Sequence, residues 1–96
     1  MKGYWIILGG DVTDTAAREE YVRRWGPIAE RYGARINQTA ATPELVEPNG
    51  ASRVLIVEFA SLADARACYA DPDYQEAMTY AVKASTRSLL MVEGEL

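Results

Sequence analysis

Arg53-Val54-Leu55-Ile56-Val57-Glu58-Phe59 is the strongest β-strand signal in the chain, and it is apolar on both faces. Side chains alternate along an extended segment, so Val54 and Ile56 point one way while Leu55, Val57 and Phe59 point the other. Gly3-Tyr4-Trp5-Ile6-Ile7-Leu8 has the same character. A strand with one wet face alternates apolar with polar residues, and neither segment does. Both faces of the sheet they build must therefore be hidden.

Working outward, residues 3–9 are predicted as the first strand, broken by Gly9-Gly10-Asp11. Thr13 or Asp14 is placed to cap a helix, its short side-chain oxygen taking up the free amides of the first turn. Tyr21, Val22, Trp25, Ile28, Ala29 and Tyr32 then recur at helical spacing along one stripe. Glu19 and Glu20 precede Arg23 and Arg24 by four residues, the favourable order for exposed helical pairs. Gly26-Pro27 predicts a kink or short break, because proline lacks a donor and crowds the preceding turn. Gly33 predicts a left-handed cap. Residues 34–40 read as a weakly patterned second strand. The stretch 41–51, with Pro43, Pro48 and Asn49-Gly50, reads as a loop.

After the third strand, Ser61 with Asp64 forms a capping box that opens a short helix through about Tyr69. Asp71-Pro72 restarts a helix whose buried stripe is Tyr74, Ala77, Met78, Ala81 and Val82. Ser88 to Glu93 gives the last strand. The order β-α-β-β-α-β predicts one ferredoxin-like α+β domain over residues 1–96, a four-stranded antiparallel sheet with helices on one face. Four strands span roughly 19 Å, and two helices of roughly 10 Å each cover one face of that width. Leu90 and Val92 oppose Leu89 and Met91, so the last strand is also apolar on both sides. The uncovered face predicts a homodimer packed sheet on sheet.

Ten basic residues against 14 acidic ones leave a formal net charge of −4. Nucleic acid and anionic membrane need clustered positive charge, so neither is expected as a partner. The apolar stretch after Lys2 is too short for a membrane span or a signal-peptide core. The single cysteine, Cys68, has no disulfide partner, and a reducing cytoplasm fits it best. We read it as buried filler rather than a nucleophile. Histidine is absent, which removes the usual neutral-pH base, the Ser-His-Asp triad and most zinc or haem sites. No phosphate-cradling glycine loop occurs, and no metal or cofactor is expected.

Tyrosine, carboxylate and arginine remain. The six tyrosines (Tyr4, Tyr21, Tyr32, Tyr69, Tyr74 and Tyr80) and two tryptophans are many for this length. Buried phenols need hydroxyl partners, so several are expected either to pack the core or to converge on a polar pocket. Glu58 sits within an apolar strand, where an unpaired carboxylate is costly. It is expected to pair with Arg35 or Arg53, Arg35 lying near it across the hairpin, or to act as an acid or base. The candidate catalytic residues are Glu58, Tyr69 and Arg35. The candidate ligand-binding residues are Trp5, Asp11, Tyr21, Trp25 and Tyr74, although turn formation and capping also explain Asp11.

Several segments together resemble a bacterial family of unknown function, the domain-of-unknown-function family 1330 of the dimeric α+β barrel superfamily. They are Gly3-Tyr4-Trp5-Ile6, Asp11-Val12-Thr13-Asp14, Tyr32-Gly33 with Arg35, and Arg53 with Glu58-Phe59 and Ser61. Tyr69, Asp71-Pro72-Asp73-Tyr74-Gln75 and Val92-Glu93-Gly94 complete the likeness, which spans almost the whole chain. The chain departs from it where Ala34 replaces a second glycine, where Thr39-Ala40-Ala41 replaces an Arg-Gly-Gly run, and where Cys68 replaces a tryptophan. The resemblance implies the fold and the dimer. For activity it implies a superfamily of cofactor-free monooxygenases, cyclases, isomerases and ligand binders. The function expected is thus a small cofactor-independent enzyme, or an accessory protein, acting on an aromatic or polyketide-like metabolite. Tyrosine and glutamate would move protons and arginine would stabilise negative charge. The alternative is a non-catalytic homodimeric module that binds or senses a small molecule.

Overall fold

A computed structural model describes residues 1–96. Strand β1 (Lys2–Gly9) leads to helix α1 (Thr15–Tyr32), then to β2 (Arg35–Ile36) and β3 (Arg53–Phe59). Helices α2 (Leu62–Ala70) and α3 (Pro72–Ala84) follow, and β4 (Arg87–Gly94) ends the fold. The sheet is antiparallel in the order β2-β3-β1-β4. This is the ferredoxin-like arrangement, with the second crossover divided between α2 and α3.

Local chemistry sets the boundaries. Asp14 caps α1 by accepting from the Ala17 amide at 2.9 Å, and Gly33 ends it at φ 63°, a left-handed conformation that costs glycine little. Ser61 accepts from the Asp64 amide at 3.1 Å to open α2. Asp71 accepts from the Asp73 amide at 2.8 Å and Pro72 takes the first helical position of α3.

Three expectations are corrected. Of the kink or break expected at Gly26-Pro27, the break does not occur, since helix α1 runs continuously through Pro27. Gly26 and Pro27 both face solvent, where water can satisfy the one carbonyl that the proline frees. Strand β2 is two residues long rather than seven. Asn37 turns left-handed at φ 53°. Its amide donates to the Ile56 carbonyl at 2.7 Å, and its side-chain oxygen accepts from the Ile56 amide at 3.0 Å. The side chain thereby substitutes for the next rung of the ladder and diverts the chain. Val82, expected in the stripe of α3, is exposed; Ala84 is buried there instead.

The two faces of the sheet differ as the alternation requires. Trp5, Ile7, Val57 and Phe59 enter the core beneath the helices with Trp25, Ile28, Tyr74 and Ala77. Ile6, Leu8, Val54 and Val92 lie on the other face, half-buried, and Leu90 there is 47% exposed. Tyr4 shares that outer face yet is fully buried, its hydroxyl accepting from the Leu96 amide at 3.0 Å. No helix is long and apolar enough to cross a membrane.

Candidate functional site

Helix α3 turns the sequence into a cavity. Its buried positions begin with Tyr74 and continue as Ala77, Ala81 and Ala84. The bulky side chain fills the space above the sheet at one end, and the alanines leave it empty at the other. The result is a cavity of about 260 Å³ between the sheet and helices α1 and α3. Trp5 and Ile7 of β1, Leu55 and Val57 of β3, and Tyr21 and Trp25 of α1 wall it. Val22 and Ile36, both exposed, stand at its rim. The shortness of β2 leaves that side uncovered.

The polar part of the lining is Arg18, Arg53, Ser85 and Arg87, without a carboxylate. Its placement follows from sheet register. Gly9 is paired with Arg53 on one side and with Arg87 on the other, so the two arginines leave the same face across a strand with no side chain there. A Cβ on Gly9 would lie 2.8 Å from the Arg53 Nε, so the glycine makes room for the guanidinium. Arg53 donates through Nη2 to the Ser85 hydroxyl at 3.1 Å, while its buried Nε has no partner. Arg87 donates through Nη2 to the Tyr74 hydroxyl at 2.8 Å, and its guanidinium lies 5.5 Å from the centre of the Tyr21 ring.

Tyr74 and Tyr21 are hydroxyl to hydroxyl at 3.2 Å. Because the Tyr74 oxygen accepts from a cation, its proton is the better donor in that pair, which leaves the Tyr21 proton unspent. Burial, with Tyr21 adding to it, pushes the Tyr74 phenol up, so it stays neutral at physiological pH. Burial acts to discharge Arg87, yet the neighbouring tyrosines hold the guanidinium above its ordinary value on balance.

The expected site residues separate into four places. Trp5, Tyr21 and Trp25 line the cavity, and Tyr74 stands directly behind Tyr21. Asp11 is exposed on the β1–α1 loop, outside the lining. Glu58 and Arg35 lie on the outer face of the sheet, opposite each other in register. Glu58 pairs with Lys2 at 3.1 Å, not with Arg35 or Arg53, because Arg53 projects to the helix side. Tyr69 donates to the Met78 sulfur at 3.3 Å and its ring packs 5.9 Å from that of Trp5. Glu58, Tyr69 and Arg35 are therefore not brought into one site. The residues missed by reading the sequence are Arg18, Ser85 and Arg87, together with the cavity role of Arg53. Period-two alternation does place Arg53 beside Leu55 and Val57, and Arg87 beside Leu89 and Met91. That was the available signal.

Cys68 is fully buried, and burial pushes its thiol up to about 12, which suits packing rather than nucleophilic chemistry. A second hollow, between α1 and the end of α3, is lined by Glu20, Arg23, Arg24 and Lys83. Glu20 there already pairs with Arg23 and Arg24, and Arg24 also reaches Glu76 at 3.0 Å. It is a wet, self-neutralised surface.

A family model described as a domain of unknown function, DUF1330, matches residues 2–95. Among solved structures, the RPA0582 protein of Rhodopseudomonas palustris is similar at 21% identity and a TM-score of 0.71, covering 99% of this chain and 82% of that one. A dimeric ferredoxin-like protein of unknown function from Bacteroides fragilis is 12% identical with a TM-score of 0.61, covering 97% and 96%. SnoaB, a cofactor-independent oxygenase from Streptomyces nogalater, is 13% identical with a TM-score of 0.66, covering 99% and 94%. No curated protein sequence matches the chain. At these identities the likeness establishes the fold alone.

Proposed function

We propose that this chain, which belongs to the DUF1330 family, uses the cavity between sheet and helices to bind and act on a small aromatic metabolite without a cofactor. The observation that carries this reading is an aromatic-walled cavity lined by Tyr21, whose hydroxyl meets that of Tyr74, itself bonded by Arg87. An apolar cavity of about 150 Å³ admits benzene, so a volume of about 260 Å³ fits one substituted ring.

The chemistry follows from the donors. A ligand oxygen beside Tyr21 receives a hydrogen bond, and the guanidiniums stabilise negative charge that develops there. Acidic phenols and enols bound in this field ionise more readily than in water. The resulting delocalised anion is the reactive species that a cofactor-independent enzyme needs. Tyrosine, arginine and serine supply no base at neutral pH, and this favours a second reading, binding without turnover. The wall positions are the same in both.

Thermal shift with a series of phenols and aryl ketones, followed by proton exchange of the bound ketones in D2O, tests the proposal. We expect stabilisation by single-ring compounds, and exchange above buffer that falls in Tyr21→Phe while binding persists. Binding without exchange selects the second reading. If no ring compound stabilises the protein, and Ala81→Leu is as costly as filling a packed core, the cavity is not a site.

The reading includes a homodimer in which a second copy covers the outer sheet face carrying Leu90, Ile6 and Val92. Leu90→Glu is expected to shift sedimentation from dimer to monomer. A wild type that sediments as a single chain would exclude that part of the proposal.

A further inference from the structure

We propose that the ligand of this cavity carries a carboxylate, and that Arg53 and Arg87, flanking Gly9, are its receptor. This rests on the cavity being the ligand site, and it adds the charge and chemical class of what enters. The chain as a whole is acidic, at a formal net charge of −4. Its ion pairs use Lys2, Arg23, Arg24 and Arg31, all away from the cavity. Arg18, Arg53 and Arg87 meet at the cavity instead, and no acidic residue stands among its lining. Three like charges facing one apolar hollow repel one another. Such an arrangement destabilises the empty protein unless an anion completes it.

The donor inventory says what kind of anion. A guanidinium presents a planar fork of five N–H groups. Arg53 spends one contact, through Nη2, on Ser85, and its Nε is sealed against Gly9, so what it offers are the remaining N–H groups of its two Nη atoms. Arg87 spends one on Tyr74. Two forks with unused donors on one sheet face match the planar, two-oxygen geometry of a carboxylate. Gly9 leaves room for the Arg53 guanidinium to lie close over β1 on the side of Arg87. The rest of the wall is Trp5, Tyr21 and Trp25, so the remainder of the ligand is an aromatic ring. Arg18, exposed at the edge of the lining, lies on the way in. The ligand class is thus a single-ring aromatic acid, its carboxylate against the two guanidiniums and its ring among the tryptophans.

Calorimetric titration of the intact protein with benzoate, benzamide and phenyl phosphate tests this. Benzoate is expected to bind at least about tenfold more tightly than the isosteric amide, with an affinity that falls as salt is added. Arg53→Gln is expected to remove most of that preference by weakening benzoate far more than benzamide, and Arg53→Lys, which keeps the charge but not the fork, to fall between them. If Arg53→Gln does not fold, the benzoate-to-benzamide ratio on the unaltered protein still decides. Equal binding of the two overturns the carboxylate inference and leaves the aromatic cavity standing. Tighter binding of phenyl phosphate overturns it in favour of a tetrahedral anion. No binding of any of the three overturns both.

Discussion

The space between sheet and helices has two ends built from the same elements and filled in opposite ways. Beneath α2 the rings of Trp5 and Phe59 lie 5.0 Å apart, those of Trp5 and Tyr74 4.9 Å, and those of Tyr69 and Tyr74 5.5 Å, with the Trp5 indole donating to the Ala65 carbonyl at 3.1 Å. Beneath the far halves of α1 and α3 the same layer holds a cavity and three arginines. The backbone plan does not distinguish the ends. Side-chain volume on α3 does, and so does charge: Asp71 and Asp73 meet Arg31 at the packed end, whereas the lining of the cavity at the hollow end has only cations. Stability is therefore concentrated at one end, and the other is available for a ligand.

The sharpest way to break this contrast is to cut one side chain at each end of β3. Phe59, 1% exposed at the packed end, is expected to cost about 3–5 kcal/mol as Phe59→Ala, the usual loss for a buried ring. Leu55 borders the existing cavity, so Leu55→Ala enlarges a hole already present and is expected to lie near the low end of the leucine range, about 2 kcal/mol. Chemical denaturation measures both. Equal costs would mean that the two ends are equally packed.

Gly3 tests the closeness of α2 to the sheet. A Cβ there would fall 2.5 Å from the Leu62 Cα, a backbone atom that cannot rotate away. Gly3→Ala is expected to destabilise by about 1–3 kcal/mol through overpacking. A neutral result would show that α2 can lift from β1 without loss.

Arg53→Met probes the hollow end with the opposite sign. It removes a buried N–H that has no partner, and an orphaned group of that kind costs about 1–3 kcal/mol. We expect the empty protein to gain about 1 kcal/mol in urea unfolding while losing affinity for aromatic acids. A loss of stability would mean that the Ser85 contact outweighs the orphan.

The same contrast explains what the sequence revealed. Short-range signals carried the fold: Asp14, Gly33, Ser61 and Asp71-Pro72 each fix an element end through groups at most four residues away, and β3 begins and ends where its composition changes. The end of β2 was not legible, because it depends on Asn37 meeting Ile56 across the sheet. The cavity was half legible. Trp5, Tyr21 and Trp25 stood out by type. Arg53 and Arg87 become a pair only through register with Gly9, and the hollow exists only because Ala81 and Ala84 come to lie over them. The ion pair expected of Glu58 is present, but its partner was not legible for the same reason: it is Lys2, two residues along from the paired position, and not Arg35 or Arg53.

The smallest expected effect concerns the carboxylates that close the packed end. Asp71 accepts from the Tyr32 hydroxyl at 2.7 Å and from Arg31 at 2.8 Å, joining the end of α1 to the α2–α3 junction. The Tyr32 hydrogen bond first, then the Asp73 amide and Arg31, hold its carboxyl below the usual carboxylate range. A lowered folded-state pKa contributes stability that is complete above the unfolded value, about pH 4, and is lost as pH falls through the folded value. Asparagine caps helices about as well as aspartate, so Asp71→Asn isolates the charge. Urea unfolding is expected to show a small gap between wild type and variant from neutral pH down to about pH 5, closing below about pH 4. Benzoate affinity at the distant cavity is expected to stay the same in the variant at neutral pH. A stability gap that persists in acid would assign Asp71 to capping and packing. The difference between the two ends would then rest on side-chain volume alone, with no part played by where the carboxylates sit.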